Sequence, residues 1–585
     1  MKTSNYDKLP FVQVESENRS CVEGWGNVLA VLEKQLASRE SRLKTLVVEC
    51  YQGVNDNELV SRLKKALPHQ LWIDSREAFK SEEAVREMVY PDVTDDRTFG
   101  FMTRLRIDDY FDAERLSSVK ARISKLTSGT VIVYGPGASR IVSQYDLLVY
   151  ADMARWEIQG RMRRNEVSNL GVNNSDAEFS EKYKHGFFVD WRVCDRLKKE
   201  LMTKWDYVLD TNKKDEPKLV TGASILKGLE IAAQRPFRVV PFFDPGPWGG
   251  QWMKEVCDLD RSAVNYAWCF DCVPEENSLL LGFGDVRVEI PSINVVFYQA
   301  ENLLGARVRS RFGDVFPIRF DFLDTMEGGN LSLQVHPSAE YIRENFGMPF
   351  TQDESYYYLD AVEDADVYLG FRENVNPEAV ISELKAAQEE GKTFDADKHV
   401  QKFPVRKHQH VAIPAGTIHC STTGSMVLEI SATPYIFTFK LWDWGRLGLD
   451  GKPRAISLEH GSKVLRWDYT KPWVEENLLD IVKPIASGDG WKEESTGLSH
   501  LHFIETRRHW FTKTVPHNTN GNLNVLNLVQ GREAIVESPT GAFEPFVVHY
   551  AETFIVPASV GEYTIRPYGE SEGTECATIK AYVRF

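Results

Sequence analysis

The rhythm of apolar and polar positions changes twice along the chain. Up to about residue 235, short apolar runs alternate with stretches carrying apolar side chains at helical spacing. Residues 44–50, 130–134 and 147–151 read as strands, and 58–67 as an amphipathic helix. This alternation predicts an α/β domain over 1–235 with a mainly parallel sheet.

From about residue 236 the texture becomes short strands punctuated by Gly and Pro. The runs are 238–243, 278–283, 286–290, 319–322, 331–335, 356–361, 365–369, 410–414, 426–431 and 436–441. They predict a β-sandwich or barrel over 236–441. A helical insert at about 375–400 interrupts it, with Ile381, Leu384 and Ala387 at helical spacing. A second β-rich block follows over 442–585, with strands at 525–529, 534–537, 546–549, 553–556 and 563–566. Phe554-Ile555-Val556-Pro557-Ala558 echoes Val411-Ala412-Ile413-Pro414-Ala415, which suggests that the two blocks are diverged copies of one barrel. The fold class expected is therefore multidomain, α/β followed by all-β.

Composition narrows the function classes. The chain of 585 residues is 42% hydrophobic and 26% charged, with a formal net charge of −16. That charge argues against nucleic acid or an anionic membrane as the main partner, and is compatible with a local basic pocket for one phosphate group. No apolar run approaches the ~20 residues of a membrane helix. The segment Met1 to Asp7 lacks the apolar core of a signal peptide, so a cytoplasmic location is expected. The eight cysteines are scattered, as reduced thiols would be. One pair, Cys269-Phe270-Asp271-Cys272, has CxxC spacing without a second pair to complete a zinc site.

The candidate chemistry centres on Leu331-Ser332-Leu333-Gln334-Val335-His336-Pro337. Gln334 and His336 lie two apart, so a strand would project both to one side. Amide oxygen and imidazole nitrogen suit a borderline cation such as Zn²⁺. Glu354, ahead of an aromatic strand, and His419, after the turn Pro414-Ala415-Gly416, are further candidate ligands. His408 and His410 form a competing pair, and spacing alone does not rank them below His419.

Longer motifs carry a resemblance. Trp248-Gly249-Gly250, the run Arg311 to Pro317, the Gln334-Val335-His336-Pro337 segment, Val367 to Phe371, Pro414-Ala415-Gly416-Thr417-Ile418-His419 and Trp442-Asp443-Trp444-Gly445-Arg446 occur in order. Together they resemble the class I mannose-6-phosphate isomerases, over about 238–585. The resemblance implies cupin-type barrels and one zinc ion held by Gln334, His336, Glu354 and His419. It implies interconversion of an aldose phosphate and a ketose phosphate, with a sugar phosphate as the partner molecule.

The catalytic rim departs from the family pattern. Thr351-Gln352-Asp353 stands where the family has His-Lys-Pro, and Asp321 stands near a family lysine. Phe439-Lys440 replaces a Tyr-Arg pair, while Glu429 matches a family acid. Lys440 and Glu429 are thus the candidate catalytic residues. Lys440 keeps the positive charge but lacks the planar fork of arginine. An altered rim admits a second reading, a sugar-phosphate-binding regulatory pseudoenzyme.

The N-terminal region resembles uridine kinase-like P-loop proteins. The strand Thr45 to Cys50, Asp108-Asp109-Tyr110-Phe111, the run Tyr145 to Asp152 and Tyr207-Val208-Leu209-Asp210 carry the likeness. The loop after the first strand, Tyr51-Gln52-Gly53-Val54-Asn55-Asp56-Asn57-Glu58, has one glycine and neither the lysine nor the Ser/Thr that a phosphate cradle needs. Ordinary kinase activity is not expected. A scaffold or oligomerisation role is favoured, with nucleotide sensing as the alternative. Pattern and spacing do not set the oligomeric state.

Overall fold

The computed structural model describes residues 4–15, 20–433, 435–497 and 500–585. Residues 1–3, part of the segment read above for a leader, lie outside it. The described residues form mixed α/β structure with many β-sheets, in two compact units.

One unit comprises Phe11–Ile231 and Ser278–Tyr298. Its central strands are β1 (Leu43–Cys50), β2 (Leu71–Asp74), β3 (Gly129–Gly135), β4 (Leu147–Asp152) and β5 (Tyr207–Asp210). They run parallel in the order β2-β3-β1-β4-β5. Lys218–Thr221 and Cys21–Glu23 extend the sheet antiparallel at the β5 edge. Leu46, Val47, Val48, Leu148 and Val149 are fully buried, as expected where helices cover both faces of a parallel sheet.

The hairpin of Ser278–Phe283 and Val286–Pro291 belongs with this unit, although its local pattern groups it with the β-rich region. Trp156 Nε1 donates to Ser278 Oγ at 2.8 Å and to Glu289 Oε1 at 3.0 Å. Asp210 Oδ2 accepts from the Glu289 N–H, and Asn294 donates to Asp152. These contacts join residues far apart in sequence, so periodicity carries no trace of them.

The other unit comprises residues up to Pro10, Ala232–Asn277 and Gln299–Phe585. Its first block contains β6 (Phe242–Asp244), β7 (Trp268–Cys272), β8 (Arg319–Asp324), β9 (Leu333–Val335), β10 (Glu354–Ala361) and β11 (Asp366–Phe371). It continues through β12 (Val400–Pro404), β13 (His410–Ile413), β14 (His419–Ser421), β15 (Ser425–Ser431) and β16 (Phe439–Trp442). One sheet has the order β13-β10-β15-β8-β7-β6 and the other β12-β11-β14-β9-β16. The pairing is antiparallel throughout. Between β11 and β12 runs the insert, helix Pro377–Glu390 and the short helix Ala396–His399. Asn376 caps the first helix by accepting from the Glu378 and Ala379 N–H groups, and Pro377 fits its first turn.

The second block contains β17 (Lys483–Gly488), β18 (Trp491–Ser495), β19 (Ile504–Phe511), β20 (Val515–Asn518) and β21 (Asn524–Gln530). It ends with β22 (Glu533–Glu537), β23 (Phe546–His549), β24 (Thr553–Val556), β25 (Glu562–Pro567) and β26 (Cys576–Val583). Its sheets have the orders β24-β21-β26-β19-β18-β17 and β23-β22-β25-β20. Strand for strand, these repeat the first block, apart from β16. Phe511, Leu526, Leu528, Phe554 and Cys576 from one sheet pack against Val515, Val536 and Ile565 from the other.

Cys269 and Cys272 both lie on β7, where the register with β8 shifts between them. Both thiols are buried, and burial with the nearby Asp271 holds their pKa well above the usual range. Asp271 between them is held by the Thr553 N–H at 2.6 Å and by Tyr6 Oη at 2.5 Å. The motif therefore stabilises the strand through its aspartate, and its thiols lack the thiolate character of a redox pair. Among the described residues no helix is long and apolar enough to cross a membrane.

In the α/β unit, Lys198 Nζ lies 2.7 Å from Asp152 Oδ1, with both side chains buried. Lys198→Ala leaves a buried carboxylate short of its cation and is expected to cost about 3–5 kcal/mol. Replacing both residues by apolar ones of similar volume should recover most of that loss. Denaturant unfolding of the two variants checks this; equal losses would show that the pair is not the source.

Candidate metal centre

Gln334 on β9 stands directly opposite His419 on β14. Cross-strand partners share a face, so the amide and the imidazole project together. His336 follows two residues after Gln334, and its ring centroid lies 5.0 Å from that of His419. Glu354 begins β10 in the other sheet and reaches both rings. His336 Nε2 lies 3.0 Å from Glu354 Oε2, and His419 Nε2 lies 2.9 Å from Glu354 Oε1. All three side chains have no solvent exposure.

The surrounding backbone sets the tautomers. His336 Nδ1 donates to the Phe437 carbonyl at 2.8 Å, and His419 Nδ1 donates to the Thr417 carbonyl at 2.8 Å. A neutral ring with its proton on Nδ1 presents a lone pair at Nε2. Two such lone pairs then face two carboxylate oxygens at about hydrogen-bond distance, which is repulsive unless a positive charge lies between them. His336 Nε2 and Glu354 Oε1 in fact lack a hydrogen-bond partner of acceptable geometry. The candidate ligand atoms of His336, Glu354 and His419 lie within 4.8 Å of one another. Gln334 Nε2 lies 3.2 Å from His419 Nε2, and rotating the amide by half a turn puts its oxygen there instead. Two imidazoles, a carboxylate and an amide make a donor set that fits a divalent cation such as zinc.

His336 and Glu354 shift each other's pKa in opposite directions. Burial alone would lower the His336 pKa, but the Glu354 charge and contact and the Phe437 carbonyl outweigh it and raise the value. Burial would likewise raise the Glu354 pKa, and the two histidines hold it well below the ordinary carboxylate range. Gln352, two residues before Glu354, steadies the carboxylate. Its Nε2 donates to Glu354 Oε2 at 3.0 Å while its Oε1 accepts from the Phe437 N–H at 2.9 Å. The sequence names Gln352 only as a departure from the family pattern; its alternation with Glu354 was the available signal.

Behind the cup lies a row of acids. Glu429 on β15 is opposite Tyr356 on β10 and Asp321 on β8. Register puts Glu354, Tyr356, Glu429 and Asp321 on one face. Burial, then Asp321 and Glu354, push the Glu429 pKa well above the carboxylate range. Burial raises Asp321 to about 6 despite Arg319, whose Nε lies 3.0 Å from Asp321 Oδ1. Glu429 Oε1 and the Tyr356 hydroxyl are buried without a hydrogen-bond partner. Lys440 on β16 is half-buried and opposite Gln334, in the same row as Gln334 and His419.

The competing histidines are placed elsewhere. His410 bonds Thr496 Oγ1 and Ser355 Oγ, each at 2.9 Å, and His408 bonds Tyr357 Oη at 2.9 Å. Burial first, then neighbouring cations, lowers His410 to about 3, so it is a neutral hydrogen-bonding residue.

In the α/β unit a cavity of about 630 Å³ opens where β1 and β3 end, lined by Gln52, Asn55, Asp56, Arg76, Pro136 and Asn169. Arg76 is engaged by Asp56 at 2.5 Å and by Asp74 at 2.8 Å. Its charge is spent within the protein, and the loop offers no cradle of glycine N–H groups to phosphate.

Comparison with known proteins finds partial matches. Residues 24–234 match a family model described as a domain of unknown function (DUF8485). The chain is 25% identical over 177 residues to the probable mannose-6-phosphate isomerase GmuF of Bacillus subtilis (strain 168), spanning 30% of this chain and 51% of that protein. It is 26% identical over 220 residues to the mannose-6-phosphate isomerase of Streptococcus mutans, spanning 37% of this chain and 64% of that one. The chain thus spans about half to two thirds of the length of these curated relatives. The crystal structure of the mannose 6-phosphate isomerase from Bacillus subtilis overlays with a TM-score of 0.48 at 17% identity, covering 60% of this chain and all of that one.

His419→Ala is expected to abolish stoichiometric zinc binding, and Gln352→Ala to weaken it by about 10–100-fold. Calorimetric titration of chelator-treated protein checks both; unchanged affinity in His419→Ala would refute the cup. Protons compete with the cation for Nε2. Because the His336 pKa is raised, release should begin above the ~6.5 of a free imidazole as pH falls. In cation-free protein the sign is set by the same shift. Its stabilising share is complete below the unfolded pKa and is lost as pH rises through the folded value.

Proposed function

We propose that the chain is a zinc-dependent aldose–ketose isomerase acting on a sugar phosphate, with mannose 6-phosphate and fructose 6-phosphate as the first pair to test. One observation carries this reading: a cup of His, Glu and Gln side chains suited to a cation shares its faces with a carboxyl group of raised pKa and a lysine. The curated relatives named above act in the same direction, as mannose-6-phosphate isomerases.

Moving a proton between adjacent sugar carbons requires a group that both takes and returns it. Glu429 and Asp321 are paired carboxyls in which burial favours one shared proton, while Arg319 favours the ionised form of Asp321. In this reading Glu429 handles the proton and Asp321 sets its state. Gln334, His336, Glu354 and His419 would hold the cation, which supplies Lewis-acid stabilisation of negative charge on the sugar oxygens. Lys440 offers a point charge to the phosphate group. Burial of Glu354, His336, His419, Asp321 and Glu429 strengthens the interactions among them.

Zinc-loaded protein incubated with mannose 6-phosphate should form fructose 6-phosphate. Glu429→Gln is expected to lower kcat by about 10²–10⁴-fold while leaving zinc content unchanged. Lys440→Met should act mainly on KM. If the zinc-loaded protein turns over neither mannose 6-phosphate nor any other aldose phosphate in a panel, the isomerase reading fails. Tight sugar-phosphate binding without turnover would instead support the regulatory pseudoenzyme.

A further inference from the structure

The second barrel block repeats the first strand for strand, which allows interior positions to be equated by register. The anchor is the residue before the shared proline. Ile413 pairs with Glu354, and Val556 pairs with Asn524. Glu354 and Asn524 are therefore equivalent. Their contacts agree: Glu354 meets His419 on β14, and Asn524 Oδ1 accepts from Tyr563 Oη on β25 at 2.9 Å. Tyr563 pairs with His517 on β20, as His419 pairs with Gln334 on β9.

Two residues along, Tyr356 corresponds to Leu526. Opposite Tyr356 stands Glu429, then Asp321; opposite Leu526 stands Lys580, then Arg507. The acids behind the cation cup are thus matched by bases. Glu354 itself is matched by a neutral amide. The second interior is a charge-inverted copy of the first.

Its polar groups are short of partners. Lys580 is 8% exposed and has neither an ion pair nor a hydrogen bond among the described residues. Both ring nitrogens of His517, Nδ1 of His509 and the Thr578 hydroxyl are buried without hydrogen bonds. The His509 and His517 rings lie 4.5 Å apart, and His517 stacks on Tyr563 at 4.9 Å. Glu493 on β18 approaches His509 at 3.5 Å, with a fifth of its side chain exposed, and Arg507 is shared with Glu505. Along the same strands, Phe511, Leu528, Ile565 and Cys576 close the far end with apolar side chains. An interior built only for stability would continue that apolar packing, because each unsatisfied buried group costs ~1–3 kcal/mol.

We infer that the polar end of the second barrel is a binding site for a small oxyanion, a phosphate- or carboxylate-bearing metabolite, with Lys580 as its charge partner and His509, His517 and Thr578 as hydrogen-bond donors. The bound oxyanion would satisfy the donors and pair the ammonium, which lies 5.8 Å from the Tyr582 ring centroid, in a charge-assisted contact. Burial holds Lys580 down to about 8 and His509 to about 4, so an arriving anion draws protons into the site. The titratable and charged groups that face it are Glu493, Glu505, Arg507, His517, Tyr563 and Tyr582.

Calorimetric titration of the full chain, stripped of metal by chelator, with inorganic phosphate and separately with malonate tests the site. At least one should bind with net proton uptake, measured at pH 8 in buffers of different ionisation enthalpy. Lys580→Met should weaken binding at least tenfold and abolish the uptake, while melting at or above the wild-type temperature because a buried unpaired charge is gone. Lys580→Arg should retain binding. His419→Ala, which disables the first barrel's cup, should leave binding unchanged, so failure of the isomerase reading and failure of this one are distinguishable. Phosphate binding without malonate binding assigns a phosphate-bearing ligand, and the reverse a carboxylate. Absence of binding by both probes, or wild-type binding by Lys580→Met, overturns the inference.

Discussion

Everything at the candidate centre follows from one electrostatic constraint. A carboxylate with no solvent exposure faces two imidazole nitrogens whose other nitrogens are already committed to backbone carbonyls. Lone pairs cannot be packed against lone pairs in a dry interior without a positive charge among them. Either protons or a cation must supply it. The Phe437 and Thr417 carbonyls therefore matter as much as the candidate ligands, since they fix which ring nitrogen points inward, while the Gln352 amide holds the carboxylate.

The same constraint explains the two barrels as a pair. Their strand orders match, so the interior positions of one have counterparts in the other. A barrel interior that already accommodates polar groups tolerates a change of sign as long as neighbouring positions change together. Asp321 and Glu429 against Arg507 and Lys580 is such a joint change. A single reversal would have placed opposite charges side by side and cancelled the field at that position. The α/β unit shows another outcome. Its strands end at a cavity, yet Arg76 is engaged by Asp56 and Asp74, and the loop lacks the glycines that would wrap phosphate.

Much was legible in the sequence because it rests on local periodicity. The parallel strands β1, β3 and β4 announce themselves as buried apolar runs, and the insert helix Pro377–Glu390 by helical spacing and its Asn-Pro start. Gln334 and His336 were readable as a pair because strand alternation is local. The echo between the segments ending at Ala415 and Ala558 pointed to a repeated barrel, and the strand orders of the two blocks agree.

What tertiary structure alone decided lies in pairings across long sequence distance. The hairpin at Ser278–Pro291 has a β pattern that fits either unit, and only bonds to Trp156 and Asp210 assign it to the α/β one. His410 and His419 are alike as sequence; side-chain contact in the folded barrel puts one against Ser355 and the other against Glu354. The exchange of Asp321 and Glu429 for Arg507 and Lys580 is invisible along the chain, because each charge sits in an ordinary alternating strand. Strand alternation along the chain marks which residues can line a barrel. Folding determined which of them share a row, because hydrogen-bonded register, and not proximity in sequence, brings charges within range of one another.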